Sequence, residues 1–567
     1  MPVRPGASNM ILEEIQLAHV SSRISAAPDP TSQPQSEESE LERGKFRVIA
    51  IFSALSLSCF IAALDQTIVS TIIPTIVSEL HAPSGYVWVG GAYLLANAAA
   101  GNIWANLSDI WGRKPILLAT AALFFGASII CAKSTDMTMM IVGRALQGVG
   151  GGGLLQLVII TISDLFSVRH RSLYFGLLEC VWALAGAIGP LMGGALTEAV
   201  SWRWAYWINL PVAGTSIVLI FFFLDIHNPR TKFMDGIKAI DWTGSVSILG
   251  LTLMLLLGLN FGGSTFAWSS PQVICLIVLG SLMSLVFIYC EKKLAKYPLM
   301  PLSVFKTSSN VACFVIAFCQ GAVFMGGEYY LPLYFQSTKA ASPLQSGLLI
   351  LPIVLMTAFS AALTGYLIHL TGRYVELLQF GNVMMTVGTG LYINFATESS
   401  LAKLILYQIV AGLGVGCLFT APTIAMQANV SQSNTASATA TLNFIRTLAT
   451  AVSAVVGGVV FQNSMALRKP ALLAAGLSAN QTEAFAGEDA TANVLLIESI
   501  ADPVQRRAVR DAFSWSLRNL WIMYTCIAVI SVVASMFVRK THLSKDEEHT
   551  ETKTGLTREK TDQINLS

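Results

Sequence analysis

Residues 143–153 read Gly143-Arg144-Ala145-Leu146-Gln147-Gly148-Val149-Gly150-Gly151-Gly152-Gly153, a guanidinium beside a glycine run with apolar sequence on either side. The apolar stretch covers about 137–163, long enough to cross a hydrocarbon core of about 30 Å as a helix. A cation at that depth is costly unless pairing or function keeps it there, so this one residue points to transport. The reading holds only if the neighbouring sequence also spans a bilayer.

It does. The chain has 567 residues, 54% of them hydrophobic and only 12% charged, about half the charge share of an ordinary soluble domain. From Phe46 onward about fourteen apolar stretches follow one another, near 48–70, 86–107, 115–132, 137–163, 173–197, 205–225, 242–261, 272–291, 310–334, 346–369, 376–396, 402–426, 439–461 and 519–538. Backbone groups in lipid must be satisfied within each segment, so the expected fold is an all-α membrane protein. A net charge of +2 gives no nucleic-acid footprint. The nine cysteines fall almost entirely in apolar runs without CxxC or Cys/His ligand spacing, so they read as buried, inert thiols and no metal site is expected.

Residues 1–45 are rich in Ser, Pro and Glu and lack a cleavable signal pattern, which suggests a disordered cytosolic tail. With the N-terminus inside, Arg43, Lys45, Arg47, Arg113, Lys114, Arg169, Arg171, Arg373, Arg539 and Lys540 all face the cytosol. The opposite short loops keep little beyond Lys133, Arg203, Lys339 and Lys403. An even span count returns the tail 541–567 to the cytosol and leaves 463–515 as one long exterior loop carrying both charge signs.

The two halves repeat. Gly112-Arg113 after the second span has a counterpart in Gly372-Arg373 after the tenth, Gly148–Gly153 is echoed by Gly412–Cys417, and Gly193-Gly194 by Gly457-Gly458. The organisation expected is a first six-helix bundle over 46–228, two linker helices over 229–306 and a second six-helix bundle over 307–540.

Leu107-Ser108-Asp109-Ile110-Trp111-Gly112-Arg113-Lys114-Pro115-Ile116-Leu117 resembles the loop signature of the major facilitator superfamily, with Ala105 where the pattern opens on Gly and Ile110 where it has Arg. Leu64-Asp65-Gln66-Thr67, the Arg144 stretch, Gly186-Ala187-Ile188-Gly189-Pro190-Leu191-Met192-Gly193-Gly194 and Ser201-Trp202-Arg203-Trp204 resemble further signatures of its fourteen-span drug:proton antiporter branch. Tyr330-Leu331-Pro332-Leu333-Tyr334-Phe335-Gln336 is similar to fungal members that export toxins and drugs. The resemblance covers about 46–540 and implies the major facilitator fold.

It also implies roles. Asp109, Gly112, Arg113 and Lys114 form a conformational gate, in which a carboxylate paired with a guanidinium latches one state. His369 takes the Asp position in the second half, so that latch is weaker or absent there. Gly186, Gly189, Pro190, Gly193 and Gly194 make up the antiporter helix motif; small residues let helices approach, and the proline removes an intrahelical bond. Asp65 and Arg144 are read as proton-coupling residues, and Glu179 as either a coupling or a substrate group. Gln408 replaces Arg144 in the second half. Aromatics including Trp88, Tyr93, Trp182, Phe324, Tyr329 and Tyr330 fall near the expected cavity and favour a flat or apolar organic substrate, with an interfacial aromatic belt as the alternative for any one of them.

The Gly148–Gly153 run matches G-x-G-x-x-G formally, but no strand precedes it, and no Walker A sequence occurs anywhere. Neither an enzyme nor a bound cofactor is expected; the energy source is a proton gradient. The reading is a monomeric, proton-coupled exporter of a small hydrophobic organic substrate, a toxin, secondary metabolite or drug, in the plasma membrane or alternatively a vacuolar or vesicle membrane. The alternatives are a siderophore or vacuolar basic amino-acid transporter of the same superfamily, or a non-transporting membrane sensor. Of the sequons at Asn106, Asn429 and Asn480, only Asn480 falls in an exterior loop, which makes it the expected glycosylation site.

Overall fold

The structure is a computed structural model and describes residues 34–81, 85–224, 242–262, 266–293, 300, 302–486, 490 and 493–541. Fourteen long helices run through these residues: α1 (Pro34–Glu79), α2 (Gly85–Trp111), α3 (Arg113–Ala132), α4 (Met137–Leu165), α5 (Val168–Ala199), α6 (Asn209–Phe223), α7 (Trp242–Phe261), α8 (Pro271–Lys293), α9 (Ser308–Lys339), α10 (Pro343–Thr371), α11 (Val375–Leu391), α12 (Leu401–Gln427), α13 (Gln432–Ala466) and α14 (Pro503–Ser535). One isolated bridge, Gly262 with Phe266, is the only strand-like pairing among the described residues. Twelve membrane-crossing helices are long and apolar enough by length and composition alone. The other two of the fourteen are α2, diluted by Asn97, Asn102 and Asn106, and α11, which has 17 residues.

The chain divides at Ser53 into a small unit, Met1–Ser53, and a large one, Ala54–Ser567. The described part of the small unit is the opening stretch of α1, with Phe46 and Ile49 exposed. The expected bundle boundary at 228–229 and the tail from 542 lie outside the described residues.

Glycine sets how closely the helices meet. A Cβ on Gly148 would lie 2.3 Å from the Tyr93 carbonyl oxygen and one on Gly152 2.5 Å from that of Asn97, so α4 rides directly on the α2 backbone. On its other side Gly150 sits where a Cβ would come within 2.8 Å of the Phe124 nitrogen in α3. The second half repeats this: a Cβ on Gly412 would stand 2.8 Å from the Ile353 carbonyl oxygen of α10, and one on Gly414 2.0 Å from the Met385 nitrogen of α11. Gly112 and Gly372, the paired glycines of the repeat, both have positive φ, 94° and 67°. Only a residue without a Cβ takes that turn without strain.

Two helices start earlier than hydropathy suggests. α1 begins at Pro34, inside the segment read as a tail. α14 begins at Pro503 instead of near 519, because Asp502 caps it by accepting from the Val504 N–H and Pro503 fits the first turn. Arg506, Arg507, Arg510 and Asp511 hide this start from an apolar scan, although Val509, Ala512 and Phe513 on the same turns are buried. Segment 463–515 holds two short helices, Lys469–Ala474 and Ala479–Ala486. The cysteine expectation needs correction: Cys180, Cys275 and Cys526 are exposed on helix surfaces, and the other six are buried. Helix packing aims those three outward, a property that composition does not carry.

Candidate functional site

The first half holds a closed polar ring. Asp65 on α1 is fully buried and Arg144 on α4 is 1% exposed; the Arg144 Nη1 lies 2.6 Å from the Asp65 Oδ2. The same nitrogen donates to the Gln147 Oε1 at 2.7 Å, and the Arg144 Nε to the Val89 carbonyl at 2.9 Å. Gln147, one turn on from Arg144, gives its Nε2 to the Asp65 Oδ1 at 2.7 Å and to the Ser128 hydroxyl at 3.0 Å. Asn209 at the start of α6 donates to the same Asp65 oxygen at 2.9 Å. Tyr93 lies under the guanidinium, 4.5 Å from its ring centroid. Asp65 thus accepts from three side chains in a dry interior, where each such bond is stronger than in water and an unpaired charge would be costly. The glycine run beside Arg144 lets α2 and α3 come near enough to close the ring.

Tyr93 and Tyr330, expected near a substrate cavity, are buried at 0% and 1% exposure. Tyr93 serves Arg144 as a platform and donates its hydroxyl to the Ala62 carbonyl at 3.2 Å. Tyr330 packs where a Cβ on Gly457 would come within 2.6 Å of its ring. Gln408, the counterpart of Arg144, donates only to the Leu404 carbonyl of its own helix, so the second half has no equivalent ring there.

The Gly186–Gly194 stretch packs on the turn of α1 that follows Asp65. A Cβ on Gly189 would lie 2.1 Å from the Thr67 hydroxyl, and one on Gly193 2.7 Å from the Ile68 carbonyl. Thr67 fixes this contact by donating to the Ala185 carbonyl at 3.0 Å. Gly186 and Gly194 meet nothing within 4 Å. Pro190 lies in α5, and its side chain is outside the described residues.

Between α2 and α3 the positive φ of Gly112 folds Arg113 back, so that its Nη1 reaches the Asp109 Oδ1 at 2.6 Å and its Nε the Asp164 Oδ2 at 2.6 Å. Asp164, at the end of α4, was not singled out from sequence; its signal was a lone carboxylate at a helix end. Burial pushes the Asp109 carboxyl above its ordinary range even though Arg113 pulls it down. Lys114 takes no carboxylate and sits 5.6 Å from the Phe221 ring centroid.

Hydrogen bonds that join the two halves gather at this same end. Arg169 donates through Nε to the His369 carbonyl and through Nη2 to the Leu370 carbonyl, both at 2.5 Å. Ser172 donates to the Gly365 carbonyl at 2.9 Å, and Gln427 to the Ser163 hydroxyl at 3.0 Å. His369, which replaces the gate aspartate, thus contributes its backbone and not a carboxylate. At the opposite end Glu79 pairs with Arg203 and accepts from the Trp202 Nε1 at 2.6 Å. This gives the Ser-Trp-Arg-Trp signature a physical role: it ties α1 to the α5–α6 connection.

Glu179 on α5 stands apart, a half-buried carboxylate with no ion pair within 4.0 Å among the described residues. The charge that acts on it is Arg446 of α13, which the sequence reading passed over. Arg446 occupies the repeat position of Trp182, so comparing the halves hides it; its signal is a lone cation in an otherwise uncharged helix of 35 residues.

A buried carboxylate–guanidinium ring on the helix that contacts the Gly186–Gly194 motif, an Arg113 clasped by two carboxylates at the Gly112 turn, and a repeat in packing as well as sequence lead to one family. The sequence model of the Major Facilitator Superfamily matches residues 55–454. The chain belongs to the major facilitator superfamily. Among major facilitator relatives, the "efflux pump dotC" of Dothistroma septosporum is 46% identical over 504 residues, covering 89% of this chain and 86% of that protein. The "efflux pump FUS6" of Gibberella fujikuroi is 35% identical over 541 residues, covering 95% and 96%. The fold matches the solved proton:xylose symporter XylE with a TM-score of 0.56 at 15% identity, over 88% of this chain and 97% of that one. This chain is a multi-pass membrane transporter of the major facilitator fold.

Proposed function

We propose that the protein exports small hydrophobic organic molecules, a toxin, secondary metabolite or drug, across the plasma membrane in exchange for protons, as a monomer with both termini cytosolic. The Asp65–Arg144 ring carries this reading, and the efflux-pump names of the relatives support it. A proton arriving at the Asp65 carboxylate cancels its charge attraction for Arg144 and weakens the acceptor that Gln147 and Asn209 share. The guanidinium keeps the Val89 carbonyl and the Gln147 amide oxygen, so the cation stays solvated by α2 and α4 while α1 is released. Because Gly189 and Gly193 of α5 bear on the next turn of α1, motion of α1 passes directly to α5. α5 in turn holds α10 of the other half through Ser172 and Gly365.

One pH unit plus 100 mV supplies roughly 3.7 kcal/mol per proton, on the order of a 500-fold gradient at one-to-one exchange. On this reading the Asp109 end is cytosolic, and the ion pairs of Arg113 with Asp109 and Asp164 would latch the gate closed on that side. The test uses proteoliposomes with an imposed pH gradient and a fluorescent hydrophobic probe. Arg144→Ala should insert normally and lose gradient-driven flux at least about 100-fold, the usual scale for removing a coupled charge. Flux equal to wild type at equal protein level would remove Arg144 from the mechanism.

A further inference from the structure

Arg144 and Arg446 are both guanidiniums in apolar helices, and their surroundings differ. Arg144 donates to a carboxylate, an amide oxygen and a carbonyl at 2.6–2.9 Å. Among the described residues Arg446 has no carboxylate within ion-pair distance; its Nη2 makes only long contacts, 3.4 Å to the Leu418 carbonyl and 3.5 Å to that of Phe419. Its Nε is buried with no acceptor at all. The Leu418 carbonyl is available because Pro422, four residues on in α12, has no N–H to give it. A half-satisfied cation in a low-dielectric interior is expensive to keep, and the remaining donors define where an acceptor belongs.

The surroundings say what kind of acceptor. The Phe419 ring lies 5.2 Å from the guanidinium carbon, and Phe324 of α9 packs edge-on against it at 5.3 Å, giving an aromatic wall beside the charge. Thr447, the next residue of α13, is exposed. One turn before Arg446, Asn443 donates to the Gln156 Oε1 of α4 at 3.1 Å, while the Gln156 Nε2 is a buried donor without a partner. Across the halves stands Glu179, close enough to act on Arg446 and too far for an ion pair. A molecule parting the helices here would meet a cation, an unused amide donor, an aromatic face and, on the far side, a carboxylate.

We infer that Arg446 anchors an anionic oxygen of the cargo, so that the exported molecules are flat, hydrophobic weak acids bearing a carboxylate or comparably acidic oxygen. This rests on the export reading for the word cargo and on geometry alone for the anchor. A hydroxyl of the same molecule, given to Glu179, makes proton and cargo compete for that carboxylate, because a protonated Glu179 accepts only through its weaker, neutral carbonyl oxygen.

The test measures equilibrium binding to the full-length purified chain of anthraquinone-2-carboxylate and of its methyl ester, a neutral molecule of nearly the same shape. Wild type should bind the acid about tenfold or more tightly than the ester, the scale of one charge-assisted hydrogen bond in a dry site. Arg446→Gln should bring the acid down to the level of the ester, and Arg446→Lys, which keeps the charge without the fork, should retain part of the preference. Equal or absent binding of acid and ester by the wild type overturns the inference, as does a preference that survives in Arg446→Gln. Where Arg446→Gln fails to fold, the wild-type ratio and Arg446→Lys decide. An intact acid preference with no pH-driven flux of any probe would count against export and leave the anchor standing.

Discussion

Glu79 is held below the ordinary carboxylate range by the Arg203 guanidinium, with a further hydrogen bond from the Trp202 indole. Its folded pKa lies below its unfolded value, so the pair's contribution is complete above the ordinary glutamate value of about 4.3 and drains away as pH falls through the lowered one. The pair is partly exposed, which limits that contribution to roughly 0.2–1 kcal/mol. Glu79→Gln should therefore melt less steeply with acid than wild type between about pH 6 and pH 3.5, by about 1 °C, in a thermal-shift series. Coincident pH profiles would mean the pair does not matter to stability. Single residues also show what was legible beforehand. Arg144 and Asp65 stood out because charge is rare in long apolar runs. Their partners Gln147, Ser128 and Asn209 did not, because neutral polar residues are common in helices and only three-dimensional closure selects them.

Among the elements, α5 separates two kinds of glycine that look alike in sequence. Gly189→Ala and Gly193→Ala push a methyl into Thr67, Thr71 and the Ile68 backbone, which should destabilise by about 1–3 kcal/mol through overpacking. Gly186→Ala and Gly194→Ala enter open space and should be neutral or stabilising by about 0.4–1 kcal/mol, since alanine restricts the unfolded chain. Melting temperatures of the four variants decide the matter; a loss for Gly186→Ala as large as for Gly189→Ala would refute the assignment of faces. Small-residue spacing announced a close crossing and could not say which members make it, because the side of α5 turned to α1 depends on the whole bundle. The same holds for helix ends. The start of α12 agreed with its apolar run, whereas α14 extends four turns into charged sequence that a hydropathy scan excludes.

For the whole molecule, the clasp at the Asp109 end bears on rate. Asp109→Asn leaves Arg113 with Asp164 as its one carboxylate among the described residues, beside the Ser108 hydroxyl, and should slow turnover several-fold without changing the substrate binding constant; a shifted constant at unchanged turnover would contradict a gating role. Topology has its own check. Asn480 is exposed on a short helix, and Asn480→Gln should remove any glycan shift on a gel, whereas a shift that persists would place another sequon outside. The repeat was readable from glycine pairs, and the structure extends it to packing: α4 on α2 and α3, α12 on α10 and α11. What the repeat concealed was its asymmetry. A closed arginine ring sits in one half and an under-coordinated arginine in the other, so under the proposed exchange energising the cycle and choosing its passenger fall to separate halves of the repeat. Such a division lets a lineage retool for a new compound by drifting around Phe324, Phe419 and Arg446 while the power stroke is left alone. Serial selection of this gene against an unfamiliar drug should gather its adaptive changes in α9, α12 and α13 and leave Asp65, Gln147 and Arg144 untouched.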